Sequence, residues 1–467
     1  MVKDLSEGKP FKVLFLFALP LLGSVVFQQM YNMADTIIAG KAINDNALAA
    51  VGASYPITMI FMAVALGCNL GCSVIVSRFF GQKHYREVKE SVSTILISVA
   101  VLGVVMTGAG IALGNVLMQA VNTPAVVFDT ALAYLYIYIG GFIFVLLYNV
   151  CTGIFSALGD SRTPLYFLIA SSLGNIGLDL LFVLAFGMGV PGLAWATFIA
   201  QGMAAVLCIL TLIFRLRKLT GGIEDEDRKT RLFSKALLIQ MLAVAIPSVL
   251  QQSFISVGNM FIQALVNGHG ELVLAGYTAA VKLNTFVLTT ITTVSGALSS
   301  FTAQNLGARK PERIKKGVLA TVIMSVCILL PFSLFYLIFP QTALLLFMDD
   351  VSGEAMATGM QFLYIVTPFY IVVTLKLICD AVLRGAESMK LFMVTTFADL
   401  LLRVVICFIA NPFLGTMGLW ISWPIGWSIS AVISIVFYLT GIWDKTRKDR
   451  FGRRRENKNV VGENKSN

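Results

Sequence analysis

From Phe11 almost to its end, the chain runs in apolar stretches of about 20 residues or more, each long enough to cross a hydrocarbon layer about 30 Å thick. Twelve can be delimited, at about 11–39, 47–79, 92–114, 124–157, 164–187, 191–214, 236–266, 271–305, 317–340, 357–383, 389–410 and 416–442. Backbone amides inside lipid must be satisfied within their own segment, which leaves helices as the natural reading of such stretches. Charged residues make up only 13% of the chain, about half the share usual in soluble domains. The expected fold is an all-α polytopic membrane protein with twelve transmembrane helices. The first run is too long for a cleavable signal, and no small-residue cleavage site follows it.

Orientation follows from the bases. With the amino terminus in the cytoplasm, 31 of the 35 Lys and Arg fall on the inner side, and only Lys41 falls in an outer loop. The positive-inside rule therefore predicts a multi-pass protein of the plasma (inner) membrane with both termini cytoplasmic. The net charge of +10 is read as topology and contact with anionic lipid heads. The tail DKTRKDRFGRRR is a solvated juxtamembrane stretch, and no nucleic-acid partner is expected. All seven cysteines fall in spans. The i,i+4 pair in CNLGC (68–72) is read as packing rather than as a metal site.

The chain repeats itself. FALPLLGSVVFQQMYNMAD (17–35) aligns with VAIPSVLQQSFISVGNMFI (244–262), placing Pro20 on Pro247 and Asn32 on Asn259 at an offset of 227. Gly81 falls on Gly307, and GLAWA (192–196) on GLWIS (418–422), both at 226. Six spans per unit give both units the same orientation, so two six-helix lobes should be related by a pseudo-two-fold axis along the membrane normal. Residues 1–220 form the N-terminal lobe with the start of a charged linker, 221–443 the C-terminal lobe, and 444–467 a basic cytoplasmic tail.

The intramembrane acids are Asp35 and Asp179 in the first half, and Asp380 and Asp399 in the second. The intramembrane bases Lys282, Lys376 and Arg403 all lie in the second half. Lys376 with Asp380, and Asp399 with Arg403, stand four residues apart and are read as structural pairs that neutralise each other along a helix. The first half offers its acids no base. An unpaired Asp at mid-helix costs about 2.5–3.5 kcal/mol, and burial favours its neutral form. Such a carboxyl can bind and release a proton, or coordinate a small cation. Gln28, Tyr31 or Asn32, and Asp35 share one helix face, and Asn175 with Asp179 repeats the pattern on the fifth span. Interhelical polar glue is the alternative reading. Pro20 removes a backbone hydrogen bond and permits a kink, static or moving.

Taken together, these residues resemble the multidrug and toxic compound extrusion (MATE) family of cation-coupled exporters over nearly the whole chain. The resemblance rests on twelve spans in parallel halves, Pro20 and Asp35 on the first span, GDSRTP (159–164), and Asn175-x-x-x-Asp179. The DinF-like branch is the nearer match. It implies a cation-coupling site at Asp35, Asn175, Asp179 and Thr197, and a substrate cavity that includes Gln28, Tyr31, Asn32, Tyr134 and Asn149. Thr152 stands where that branch commonly has an amide. The glutamate and aspartate of the NorM-like branch are replaced by Ile255 and Val373.

The resemblance implies a secondary antiporter that couples inward H+ or Na+ flow to efflux of amphipathic, often cationic compounds by alternating access. No cofactor is expected beyond the coupling ion. The partners would be small organic substrates and membrane lipids, and the protein would act as a monomer. A lipid-linked oligosaccharide flippase of the same superfamily is the alternative, although its cavity should concentrate bases against pyrophosphate. An enzyme should show a nucleophile–base set or a metal cluster, and neither is visible. A GxxxxGK[ST] loop for a nucleotide-driven pump is absent from the sequence.

Overall fold

The computed structural model describes residues 3–37, 45–121, 123–220, 231–348 and 353–444; within these, the side chains of 32–37, 45–48 and 220 are outside the description. The elements are α1 (Pro10–Ile37), α2 (Asp45–Gly81), α3 (Tyr85–Ala120), α4 (Ala125–Gly140), α5 (Phe142–Ala157), α6 (Arg162–Leu180), α7 (Gly189–Thr220), α8 (Lys235–Asn267), α9 (Glu271–Gly307), α10 (Glu312–Ile338), α11 (Pro340–Leu344), α12 (Glu354–Val366), α13 (Tyr370–Gly385), α14 (Met389–Leu414) and α15 (Thr416–Thr440). Among the described residues, eleven spans are long and apolar enough to cross a membrane, and α4 with α5 makes a twelfth, bent by 47°. That bend falls at Gly140-Gly141, where the helix lacks the side chains that would stiffen it. The tenth span is likewise two helices, α12 and α13, joined by a 3₁₀ turn at Thr367–Phe369 around Pro368.

α1 runs unbroken through Pro20, and the hydroxyl of Ser24 donates to the Pro20 carbonyl at 3.1 Å. α6 gives way to a π-helical turn, Leu181–Ala185, directly after Asp179 and Leu180. Such turns interrupt regular helices and recur at functional sites.

The lobes α1–α7 and α8–α15 meet across the expected pseudo-two-fold axis. Gly81 lies against the backbone of Gln304, and Gly307 against that of Arg78, so the repeat-related pairs 81/307 and 78/304 contact each other reciprocally. A side chain at either glycine would collide with the facing carbonyl. Nearby, Ser73 and Ser300 bring their hydroxyl oxygens to 3.5 Å. Gly67 and Gly71 of α2 admit Val249 and Ala245 of α8 so closely that an added methyl would clash. Small residues spaced this way are how helices approach in lipid, where no hydrophobic force drives them together.

One buried apolar cluster takes in the N-terminal lobe and only those C-terminal-lobe residues near the chain-terminal, basic end, such as Val244, Phe301, Ile314 and Leu383. A second cluster, from Ile262 to Trp427, is confined to the opposite half of the C-terminal lobe. The lobes therefore share a core at the basic end and have separate cores beyond it. Polar contacts seal the shared end. Arg78 reaches Glu387 at 2.7 Å, and Gln304 donates to the Ala157 carbonyl at 2.7 Å. The segment before α1 straps the two lobes together. Its Lys3 amide donates to Leu158 O at 3.2 Å, and its Leu5 amide to Gln304 Oε1 at 2.8 Å. Asn305 and Lys310 donate back to the carbonyls of Leu5 and Ser6 at 3.3 and 3.1 Å, and the Leu5 side chain is fully buried.

Candidate functional site

A cavity of about 410 Å³ opens within the N-terminal lobe, walled by α1, α2, α4, α5, α6 and α7, with Thr293 of α9 as the single C-terminal-lobe residue in its lining among the described residues. Gln28 and Tyr31 of α1, Asn149 of α5, Asn175 of α6 and Thr197 of α7 all line it. The face-sharing expected of Gln28 and Tyr31, and the separate elements carrying Asn149, Asn175 and Thr197, thus converge on one space. Asn175 approaches Thr197, Nδ2 to Oγ1, at 3.5 Å. The Oδ1 of Asn175 is buried with no hydrogen-bond partner among the described residues. One turn further along α6, Asp179 is fully buried behind the lining. Tyr134 is not part of the lining; it stacks on Tyr138, which is, with ring centroids 6.5 Å apart. The side chains of Asn32 and Asp35 lie outside the described residues.

Two amides were not anticipated from the sequence. Asn69 of α2 donates to the Asn149 carbonyl at 2.7 Å and to Thr152 Oγ1 at 3.2 Å. An amide thus stands against Thr152 from the facing helix. Gln201 lines the cavity one turn beyond Thr197, and its Oε1 is buried without a partner among the described residues. Its signal lay in TFIAQ (197–201), where the i,i+4 spacing puts both polar groups on one face. Asn69 sits inside CNLGC, whose Cys72 thiol contacts the carbonyls of Asn69 and Val150 at 3.1 and 3.7 Å, so it knits α2 to α5.

The C-terminal lobe holds its charges differently. Lys376 Nζ lies 3.1 Å from Asp380 Oδ2 and 3.5 Å from Asp399 Oδ2, and Arg403 lies 3.9 Å from that same Asp399 oxygen. The two i,i+4 pairs are thus one cluster, with the lysine bridging α13 and α14. Asp380 Oδ1 also accepts from Thr395 at 2.9 Å and from Ser434 of α15 at 2.7 Å. Arg403 stacks over Trp423 at 4.6 Å, and Lys282 lies over Phe347 at 5.5 Å. The three intramembrane bases are therefore all engaged within their own lobe.

At the basic end, GDSRTP forms the turn into α6. Asp160 accepts from the Thr163 amide at 3.2 Å and from its hydroxyl at 2.8 Å, and faces Arg215 at 3.4 Å. Burial pushes the Asp160 carboxyl up, but favourable contacts, led by the two Thr163 donors, together outweigh it and hold it below the ordinary aspartate value.

A family model described as MatE matches residues 20–181 and again 247–409, one copy in each lobe and each beginning at the helix-interior proline. This chain belongs to the MatE family. MatE proteins are membrane transporters and not enzymes. A probable multidrug resistance protein of Bacillus subtilis (strain 168), YpnP, is 25% identical over 94% of this chain and 97% of its own length. An FAD transporter of Shewanella oneidensis is 25% identical over 67% of this chain and 68% of its own length. Among solved structures, the outward-facing conformation of a multidrug resistance MATE family transporter superposes with a TM-score of 0.85 at 23% identity, covering 94% of this chain and 97% of that one. That likeness establishes the fold.

Proposed function

We propose that the protein is a secondary exporter that exchanges inward H+ or Na+ for outward movement of amphipathic, often cationic organic solutes, by alternating access. The observation that carries this reading is the N-terminal-lobe cavity, lined by amides, hydroxyls and aromatic rings, with the fully buried Asp179 one turn behind its Asn175 wall. A carboxyl so placed changes its proton or ion occupancy as the surrounding water changes. Asp35 and Asp179 would carry the coupling ion, and Asn175 and Thr197 would complete its surroundings, as in the DinF-like branch. Among the described residues, the lining includes no lysine or arginine, which suits a neutral or cationic solute better than a pyrophosphate-linked one. The names of relatives such as YpnP point the same way. In this reading the protein works as a monomer of the inner membrane, with the basic, sealed end in the cytoplasm and the cavity facing outward.

The test is efflux of a cationic dye from liposomes carrying the purified protein, under a pH gradient and a sodium gradient applied separately. One gradient should drive export, and both Asp35→Asn and Asp179→Asn should insert normally yet lose the driven component. Undiminished gradient-driven export by both variants overturns the assignment.

A further inference from the structure

The acids of the C-terminal lobe have the form of a cation site. Asp380 and Asp399 come from different helices, and each turns an Oδ2 toward one point, the position of Lys376 Nζ. Two hydroxyls, those of Thr395 and Ser434, stand against Asp380 from α14 and α15. Asp399 is 6% exposed, and its Oδ1 has no hydrogen-bond partner among the described residues. That oxygen lies beside Gly426, where an added Cβ would come within 3.0 Å of it. Carboxylates from two helices with hydroxyl oxygens close by are a suitable shell for a small hard cation stripped of water.

We infer that Asp380 and Asp399 form a monovalent-cation site whose occupant is tethered to the chain: the ammonium of Lys376. An ammonium is a compact point charge with three donors, and can stand where a bare alkali ion would. The charge balance agrees. Within the cluster, Lys376 and Arg403 offset Asp380 and Asp399, and removing the lysine leaves one negative charge. Arg384, buried one turn nearer the basic end, feels the Asp380 charge from beyond 4.0 Å but does not occupy the point between the two carboxylates. This cluster therefore takes no mobile ion, and a lysine does there permanently what a dissolved cation does in an open site. This assignment stands independently of which residues couple transport in the other lobe.

The experiment compares thermal unfolding of purified wild type, Lys376→Met and Lys376→Met/Asp399→Asn in sodium chloride and in choline chloride of equal concentration. Any sodium effect on the wild type reports the N-terminal lobe and serves as the baseline. Lys376→Met should gain a further sodium-dependent rise of about 3 °C or more in its midpoint, because a ligand that binds only the folded state stabilises it. The double variant should return to the wild-type increment. Folding of Lys376→Met in sodium but not in choline is the same result in stronger form. An unchanged sodium increment in Lys376→Met overturns the inference, as does loss of the fold in both salts, since either shows a stranded charge that sodium does not replace.

Discussion

The two lobes descend from one repeat, yet they handle buried polarity in opposite ways. The N-terminal lobe is hollow, and its amides and hydroxyls face a space. The C-terminal lobe is filled: Tyr277 stacks on Trp420 at 5.0 Å, Phe362 meets Trp420 and Trp423 edge-on, and Trp423 meets Trp427 at 5.8 Å. At the repeat offset of 226, cavity-lining Thr197 corresponds to Trp423, whose ring carries the Arg403 guanidinium. Asn175 and Asp179 correspond to Leu401 and Val405. One lobe therefore turns polar groups toward a cavity, while its partner gathers charged groups into a buried cluster and packs rings around it. A duplicated bundle needs only a few such exchanges to divide the work.

The contrast breaks most completely if the aromatic filling is moved across. Thr197→Trp, which imports the C-terminal-lobe residue into the cavity wall, should abolish dye efflux while the protein still inserts and folds, because the cavity has room for the ring. Efflux near the wild-type rate would show that solute passes elsewhere. Next in size is the charge cluster. Asp380→Asn leaves the cluster with an excess positive charge and should destabilise the lobe by about 3 kcal/mol. Lys376→Ala/Asp380→Ala removes both members and should cost less. Thermal midpoints in the reverse order would mean that packing, not charge, governs the site.

A smaller effect is expected where the lobes touch. Gly307→Ala puts a methyl against the Arg78 carbonyl and should weaken the sealed end by about 1–3 kcal/mol. A cysteine placed at Ser73, close to the axis, should then react faster with a water-soluble thiol reagent; an unchanged rate would mean the lobes have other ways to fit. Smallest is the turn into α6. Since its folded value is depressed, Asp160 contributes stability at neutral pH that is lost as pH falls through the ordinary carboxylate range and below. Asp160→Ala should cost about 0.5–2 kcal/mol at neutral pH and flatten the acid limb of the unfolding profile. An acid limb identical to that of the wild type would show that the turn does not report on this carboxyl.

How much of this was legible in the sequence depended on which physical signal carried it. The spans were readable because lipid demands apolar length, but their ends were not. The third was delimited at 92–114, whereas α3 runs Tyr85–Ala120. Its first turns carry YREVKE, and a helix continues into the polar zone without any hydropathy signal. The break at Gly140-Gly141 had a visible cause in the glycine pair, yet a single span at 124–157 absorbed it. Of the cavity side chains, Gln28, Tyr31 and Asn175 are legible as polar residues within spans, while Asn149 and Thr197 follow from the family resemblance. Asn69 carries little signal of its own in the sequence, because the i,i+4 cysteines on either side of it are the more conspicuous pattern. The contact from Lys376 to Asp399 could not be found from spacing at all, since i,i+4 arithmetic sees one helix and that contact depends on how two helices pack.

The strap ahead of α1 has a mechanical consequence. With Leu5 sunk in the apolar core common to both lobes, that end cannot part until a leucine has been drawn out against about 1.5–3 kcal/mol of burial and its neighbouring backbone bonds have let go. Residues 3–6 thus behave as a latch across the two lobes.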